Sequence, residues 1–106
     1  MIAVIFEVTV DPAQGERYFE LAAGLREELA VVEGFVSIER FQSLSDENKL
    51  VSLSFWQDRA AVEAWYRRPK HKEAQGAGRA GIFQDYRIRV AEVFRDYDMA
   101  AGRPEV

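Results

Sequence analysis

The segment 64–78, AWYRRPKHKEAQGAG, combines the residue types in this chain that are best suited to chemistry. It contains the only histidine, His71, and one of the two tryptophans, Trp65, with Pro69 between them. An imidazole can exchange a proton near neutral pH, and an indole provides a large flat apolar surface. The segment is therefore either a reactive site or the irregular end of a helix, in which Trp65 packs in the core and His71 faces water.

Several other chemistries are excluded by residue type and order. The chain has no cysteine, which excludes disulfides, thiolate catalysis and zinc–thiolate sites. One histidine with scattered carboxylates forms no recognisable metal site, and no Ser-His-Asp set has a nucleophile elbow. The letters GAGRAG, at 76–81, match a dinucleotide fingerprint, but there a predicted helix precedes and a predicted strand follows. We therefore expect neither a metal nor a cofactor.

Length and composition indicate one globular domain. The chain has 106 residues, which we divide into a domain at 1–97 and a C-terminal tail at 98–106. Hydrophobic residues make up 48% and charged residues 30%, a balance typical of soluble globular proteins. The net charge of −4, without a basic stripe, argues against nucleic-acid binding. No apolar run could span a membrane and no signal peptide is recognisable, so we expect a cytoplasmic protein.

A sheet and two helices must position these residues. Alternating apolar residues predict strands at 2–10, 35–41, 50–56 and 82–97. Helices are predicted after Asp11 and after Asp58, because aspartate accepts hydrogen bonds at a helix N-cap. Gly34 should end the first helix, and Pro69 should end or kink the second. The order β-α-β-β-α-β predicts an α+β, ferredoxin-like fold with a four-stranded antiparallel sheet.

Apolar residues occur on both faces of the predicted strands. In the second strand Phe35 and Phe41 should point opposite to Ile38, and in the third Phe55 should point opposite to Trp56. Two helices can cover only one face of a four-stranded sheet, and an exposed apolar patch usually marks an interface. We therefore predict a homodimer that packs sheet to sheet.

Three segments together resemble the antibiotic biosynthesis monooxygenase family of small dimeric α+β-barrel proteins. They are EGFVSIERFQS, LVSLSFWQDRAAVEAWYRRPKHKEAQ and YRIRVAEVFRDY. A Gly-Phe strand start, a strand that ends in Trp56 and the W-x5-H spacing from Trp65 to His71 carry the resemblance, which covers about residues 2–97. It implies a ligand cavity between helices and sheet. The family is similar to cofactor-free oxygenases of aromatic polyketides or quinols, and it also includes haem-degrading oxygenases and proteins of unknown role.

The resemblance implies candidate roles if the chain is a cofactor-independent monooxygenase of a small aromatic substrate. Trp65 would be a wall of the cavity, and His71 would accept a proton. Tyr86 or Arg87, on the last strand, would donate hydrogen bonds, and strand parity leaves open which one faces the cavity. Glu7 is another candidate base because it interrupts an apolar strand, although it could instead pair with Arg87 or Arg89 across the sheet.

Two alternatives stay open at this point. A non-enzymatic domain could use the same cavity to bind a small ligand or respond to stress. Haem-degrading members resemble one another in an asparagine on the first strand and a histidine about three helical turns after the tryptophan. This chain has Gln75 near that histidine position and no asparagine on its first strand, and His71 comes a turn earlier.

Overall fold

The computed structural model describes residues 1–77 and 81–101. The strands are β1 (Ile2–Val10), β2 (Phe35–Gln42), β3 (Lys49–Trp56) and β4 (Phe83–Glu92), and the helices are α1 (Gly15–Ala30), α2 (Arg59–Arg67) and α3 (Pro69–Ala77). In this part of the chain no helix is both long and apolar enough to cross a membrane. The predicted loop at 76–81 and the predicted tail at 98–106 lie partly outside the described residues.

Asp58 caps α2 as predicted, whereas Asp11 caps a short 3-10 turn that precedes α1 and not α1 itself. The carboxylate of Asp11 accepts a hydrogen bond from the Ala13 amide at 3.0 Å, and a short 3-10 turn, Pro12–Gln14, leads into α1. The Asp58 carboxylate accepts from the Ala61 amide at 2.9 Å and caps α2. Each cap satisfies an amide that has no partner within its own helix. These local contacts explain why the starts of both helices are readable from sequence.

The four strands form one antiparallel sheet in the order β2-β3-β1-β4. Pairs such as Phe6 with Ser52 and Phe6 with Ile88 fix the register of β1 against its two neighbours. This order, with the helices between the strands in sequence, confirms the predicted α+β, ferredoxin-like fold.

The helices cover one face of the sheet through two clusters of buried side chains. One cluster joins the ends of the strands to α1 and α2, and its members include Ile2, Leu29, Trp56 and Trp65. The other surrounds Tyr18 at the start of α1, together with Val8, Val10 and Ile82. The space between helices and sheet is therefore closed at two places by apolar packing.

Two details of the predicted strands were wrong. The last strand ends at Glu92 rather than at 97. Glu92 pairs with Ile2, the first residue of β1, and residues after Glu92 therefore have no β1 residue to pair with. Phe35 does not point opposite to Ile38, since the register of β2 shifts between Phe35 and Ser37. This irregularity turns Phe35 to the helix side, where both it and Ile38 pack against the cluster around Trp56.

Candidate active site

A cavity of about 130 Å³ lies between the helices and the sheet. Its walls are mostly apolar and aromatic, with a few polar side chains from β2, β3, β4 and α3. Its aromatic and ionisable lining residues include Tyr18, Arg40, Trp56, Trp65, Tyr66, His71 and Tyr86. Such a lining, apolar with few polar groups, is typical of sites for small organic ligands.

The break between α2 and α3 positions His71. Arg68 has extended backbone angles, φ −69° and ψ 136°, as is favoured before a proline, and Pro69 then begins α3. The Arg68 side chain donates two hydrogen bonds to the Glu28 carboxylate of α1, one from Nε at 2.9 Å. The kink predicted at Pro69 therefore exists, and an ion pair fixes it to α1.

His71 lies between two aromatic rings on the cavity wall. Its ring centroid is 4.9 Å from that of Trp65 and 5.2 Å from that of Tyr66. The Nδ1 atom is buried and has no hydrogen-bond partner. Burial lowers the pKa of the imidazole from its ordinary value of 6.5, although a hydrogen bond with the backbone of Tyr66 acts in the opposite direction. The net effect favours the neutral imidazole over the charged form.

Trp65 is both a core residue and a cavity wall. It is 7% exposed, belongs to the cluster around Trp56, and its ring centroid is 6.1 Å from that of Trp56. The two interpretations of this tryptophan are therefore compatible, because the core cluster itself forms one side of the cavity.

Of the two residues proposed on the last strand, Tyr86 lines the cavity. Its ring is 5.9 Å from Phe6 and 6.1 Å from Phe83, measured between centroids. Tyr86 remains 42% exposed, so it lies where the cavity opens towards solvent. Arg87, the next residue, points to the other face of the sheet because side chains alternate along a strand.

Glu7 also lies on that other face, opposite Arg87 in the register of β1 and β4. Its carboxylate accepts a hydrogen bond from Arg89 and forms an ion pair with Lys49 at 3.7 Å. The Arg89 hydrogen bond is the main cause that lowers the pKa of the Glu7 carboxyl. The structure thus brings Trp65, His71 and Tyr86 to one cavity and leaves Glu7 and Arg87 outside it.

Several polar residues of the cavity, above all Arg40, were not predicted from the sequence. Arg40 lies two residues after Ile38 on the cavity side of β2 and pairs with Ser52 of β3. The available signal was strand alternation, which puts a lone arginine on the same face as an apolar residue. Ser54, the next cavity residue on β3, accepts a hydrogen bond of 2.9 Å from the Trp56 indole.

The described residues contain no cluster of side chains suited to bind a metal ion. No group of three or more histidine, aspartate or glutamate side chains among them could hold one. The Gln75 side chain, which entered the comparison with haem-degrading proteins, lies outside the described part.

Comparisons with known proteins agree with this fold. The profile of the antibiotic biosynthesis monooxygenase family matches residues 1–77. A jasmonate monooxygenase from Pyricularia oryzae is 42% identical over 93 residues, which are 88% of this chain and 43% of that protein. The chain therefore spans less than half the length of this relative.

Solved structures with little sequence identity share the fold. A protein from Deinococcus radiodurans has a TM-score of 0.84 at 13% identity, covering 93% of this chain and 98% of that chain. SnoaB, a cofactor-independent oxygenase from Streptomyces nogalater, has a TM-score of 0.78 at 19% identity, covering 90% and 94% of the two chains.

Proposed function

Because the chain belongs to the antibiotic biosynthesis monooxygenase family, we propose that it is a cofactor-independent monooxygenase of a small aromatic, quinol- or polyketide-like substrate. The observation that carries this proposal is the His71 imidazole, which lines the aromatic cavity and whose buried Nδ1 has no hydrogen-bond partner. A buried base without a partner is suited to accept a proton from a bound ligand.

The proposed chemistry begins with loss of a substrate proton to Nδ1 of His71. A phenol or quinol that has lost its proton is electron-rich and can pass an electron to molecular oxygen. A carbon–oxygen bond then forms at a ring carbon and the O–O bond breaks. One oxygen atom stays in the product as a quinone carbonyl, and the other takes the two hydrogens lost from the substrate and leaves as water, so the substrate supplies all four electrons. The protein would hold the ring, exclude bulk water and stabilise the developing negative charge.

Trp65 and Tyr86 have complementary roles in this proposal. Trp65, packed at 4.9 Å from the imidazole, would orient the flat face of the substrate against the base. Tyr86, at the opening, would donate a hydrogen bond to a substrate oxygen. Glu7 and Arg87, on the opposite face of the sheet, are left out of the proposal.

The size of the cavity limits the substrate. A cavity of about 130 Å³ resembles the roughly 150 Å³ engineered cavity that binds one benzene ring. We therefore expect the reacting ring to fill the enclosed part, with the rest of a larger substrate extending past Tyr86 towards solvent.

Oxygen consumption tests the proposal. We would measure oxygen uptake with a panel of quinols and anthrones, and with jasmonate, after which the 42% identical relative is named. We expect turnover of at least one ring compound, and a loss of about 100-fold or more in His71→Ala, because general-base catalysis contributes about 10²- to 10⁴-fold. Trp65→Phe should also reduce turnover, since the smaller ring leaves the substrate less well oriented.

Other outcomes identify the alternatives. Binding of these compounds without oxygen uptake favours a non-enzymatic ligand-binding domain. A Soret shift on titration with haem favours the haem-binding alternative. If both variants retain full turnover and fold normally, the assignment of His71 and Trp65 to the site is wrong.

A further inference from the structure

The cavity wall contains a cationic side chain to which the proposed chemistry gives no role. Arg40 lies on β2, an edge strand of the sheet, in one row with Ser52 of β3 and Phe6 of β1. All three residues line the cavity. A guanidinium keeps its charge at any pH of interest, so this row places a permanent positive charge against an apolar space.

Arg40 has no counter-ion in the described part of the chain. Among those residues, the ion pairs involve other cations, and no aspartate or glutamate pairs with Arg40. Its Nε atom is buried and has no hydrogen-bond partner. A partly buried cation that has no anion beside it and a buried Nε without an acceptor is costly, which makes the site favourable for an incoming anion.

Tyr18 is the polar neighbour of Arg40 on the helix side. Burial raises the pKa of the Tyr18 hydroxyl, while the charge of Arg40 and a hydrogen bond with it act to lower that pKa. The phenol therefore stays neutral and provides no compensating charge. Both side chains would remain available to a ligand oxygen, Arg40 through its guanidinium and Tyr18 through its hydroxyl.

We propose that Arg40 binds a carboxylate group of the substrate, with Ser52 and Tyr18 beside it. The inference rests on the proposed function, because it assumes that the substrate occupies this cavity. A guanidinium presents parallel N–H groups that match the two oxygens of a carboxylate. The substrate class is then narrowed from small aromatic compounds to small aromatic carboxylic acids.

The carboxylate site and the proton-accepting site are held by different parts of the core. His71 contacts Trp65 and Tyr66, which belong with the cluster around Trp56. Arg40 contacts Tyr18, a member of the second cluster. Anchoring the acid group at Arg40 would leave the ring to be presented to His71, so binding and proton transfer use separate groups.

A matched pair of probes tests this assignment without any need for turnover. Benzoate and benzamide have nearly the same shape and differ in charge, so isothermal titration calorimetry of both measures the contribution of the anion. We expect benzoate to bind about 10-fold or more tightly than benzamide at neutral pH, the size expected for a charge-assisted hydrogen bond. Equal binding of the two probes, or tighter binding of benzamide, would overturn the proposal.

Substitutions assign the preference to a residue. Arg40→Gln should abolish the preference for benzoate, and Arg40→Lys should retain part of it, because the charge remains while the paired N–H groups are lost. Arg26→Gln, on the exposed side of α1, is the matched control and should retain the full preference. If Arg40→Gln is folded, as judged by circular dichroism, and still prefers benzoate, the carboxylate site is elsewhere. If the variant does not fold, the benzoate and benzamide affinities of the wild-type protein still test the proposal.

A further probe separates the two possible kinds of oxygen anion. 4-Nitrophenolate carries its charge on a phenol oxygen, and Arg40-dependent binding of it in the absence of benzoate binding would overturn the carboxylate assignment. These binding results are independent of oxygen uptake. A persistent benzoate preference with no turnover of any substrate contradicts the monooxygenase proposal alone, while turnover without the preference contradicts the carboxylate site alone.

Discussion

At the scale of residues, the surroundings of His71 determine what its imidazole can do. Lys70 and Lys72 flank it in sequence, and that context alone is equally compatible with a surface histidine. The structure instead places the ring between Trp65 and Tyr66 and buries Nδ1. Burial penalises the charged form, so the neutral base persists to lower pH than in a free histidine.

The pH dependence of turnover follows from this pKa. If neutral His71 is the base, kcat/KM should fall as the pH decreases through the folded-state pKa of His71, which lies below 6.5, and should be level above it. The measurement is a pH profile with a substrate that does not itself titrate in this range. A midpoint above 6.5 would contradict a buried neutral base. His71→Gln is the control, because any residual activity should lack this acidic limb.

Ser54 should contribute to stability through the Trp56 indole. Trp56 is 1% exposed, and its Nε1 donates to the Ser54 hydroxyl at 2.9 Å. In Ser54→Ala this buried N–H loses its acceptor, and we expect the free energy of unfolding to fall by about 1–3 kcal/mol. Urea denaturation measures the change. Ser52→Ala is the matched control on the same face of β3, and an equal loss there would show that the hydrogen bond to Trp56 is not the cause.

At the scale of elements, close contacts between the segments hold the cavity walls in place. The Arg68–Glu28 ion pair joins the α2–α3 break to α1, which positions the helix that carries His71. At the other end of α2, Gly34 adopts φ +88° and its carbonyl accepts a 2.8 Å hydrogen bond from the Gln57 amide. A Cβ atom at Gly34 would lie 2.7 Å from the Cβ of Ala61 on α2.

Gly34→Ala should therefore be destabilising. The positive φ and the contact with Ala61 both oppose a side chain, and we expect a loss of about 1–3 kcal/mol in the free energy of unfolding. Thermal or urea denaturation tests this. Gly24→Ala is the control, because a Cβ atom there would have no neighbouring atom within 4 Å and alanine is favoured in the middle of α1. The control should gain about 0.5–1 kcal/mol.

At the scale of the whole molecule, the outer face of the sheet remains to be covered. The helices pack on the face that carries Trp56, so Ile5, Leu53 and Phe55 point away from them. Phe41, on the same outer face, is 47% exposed. Glu7 and Arg89, which lie on the same face, pair with each other. We propose that a second copy of the chain covers this outer face.

This dimer gives a direct prediction. Light scattering after size exclusion should give about twice the chain mass of 12.1 kDa. Leu53→Asp should give a monomer, because a carboxylate at the centre of the outer face would be buried without a partner in the dimer. Val31, which is 70% exposed at the end of α1, provides the control, and the Val31→Asp variant should remain a dimer. A wild-type monomer would contradict the proposal and leave the apolar outer face unexplained.

The sequence by itself determined the order of the elements and most of their bounds. Alternation, the caps at Asp11 and Asp58, and the break at Pro69 depend on residues that are near one another along the chain, so their physics is readable from spacing. The W-x5-H spacing of Trp65 and His71 also indicated the family and one wall of its cavity.

Only the tertiary structure decided which side chains meet. Tyr86 rather than Arg87 faces the cavity because of the pairing of β4 with β1, and Phe35 changes face because of an irregularity between β2 and β3. Arg40 lies opposite Tyr18 of α1, 22 residues earlier in sequence. Such contacts depend on the register between distant segments, and a shift of one residue would turn every side chain of a strand to the other face.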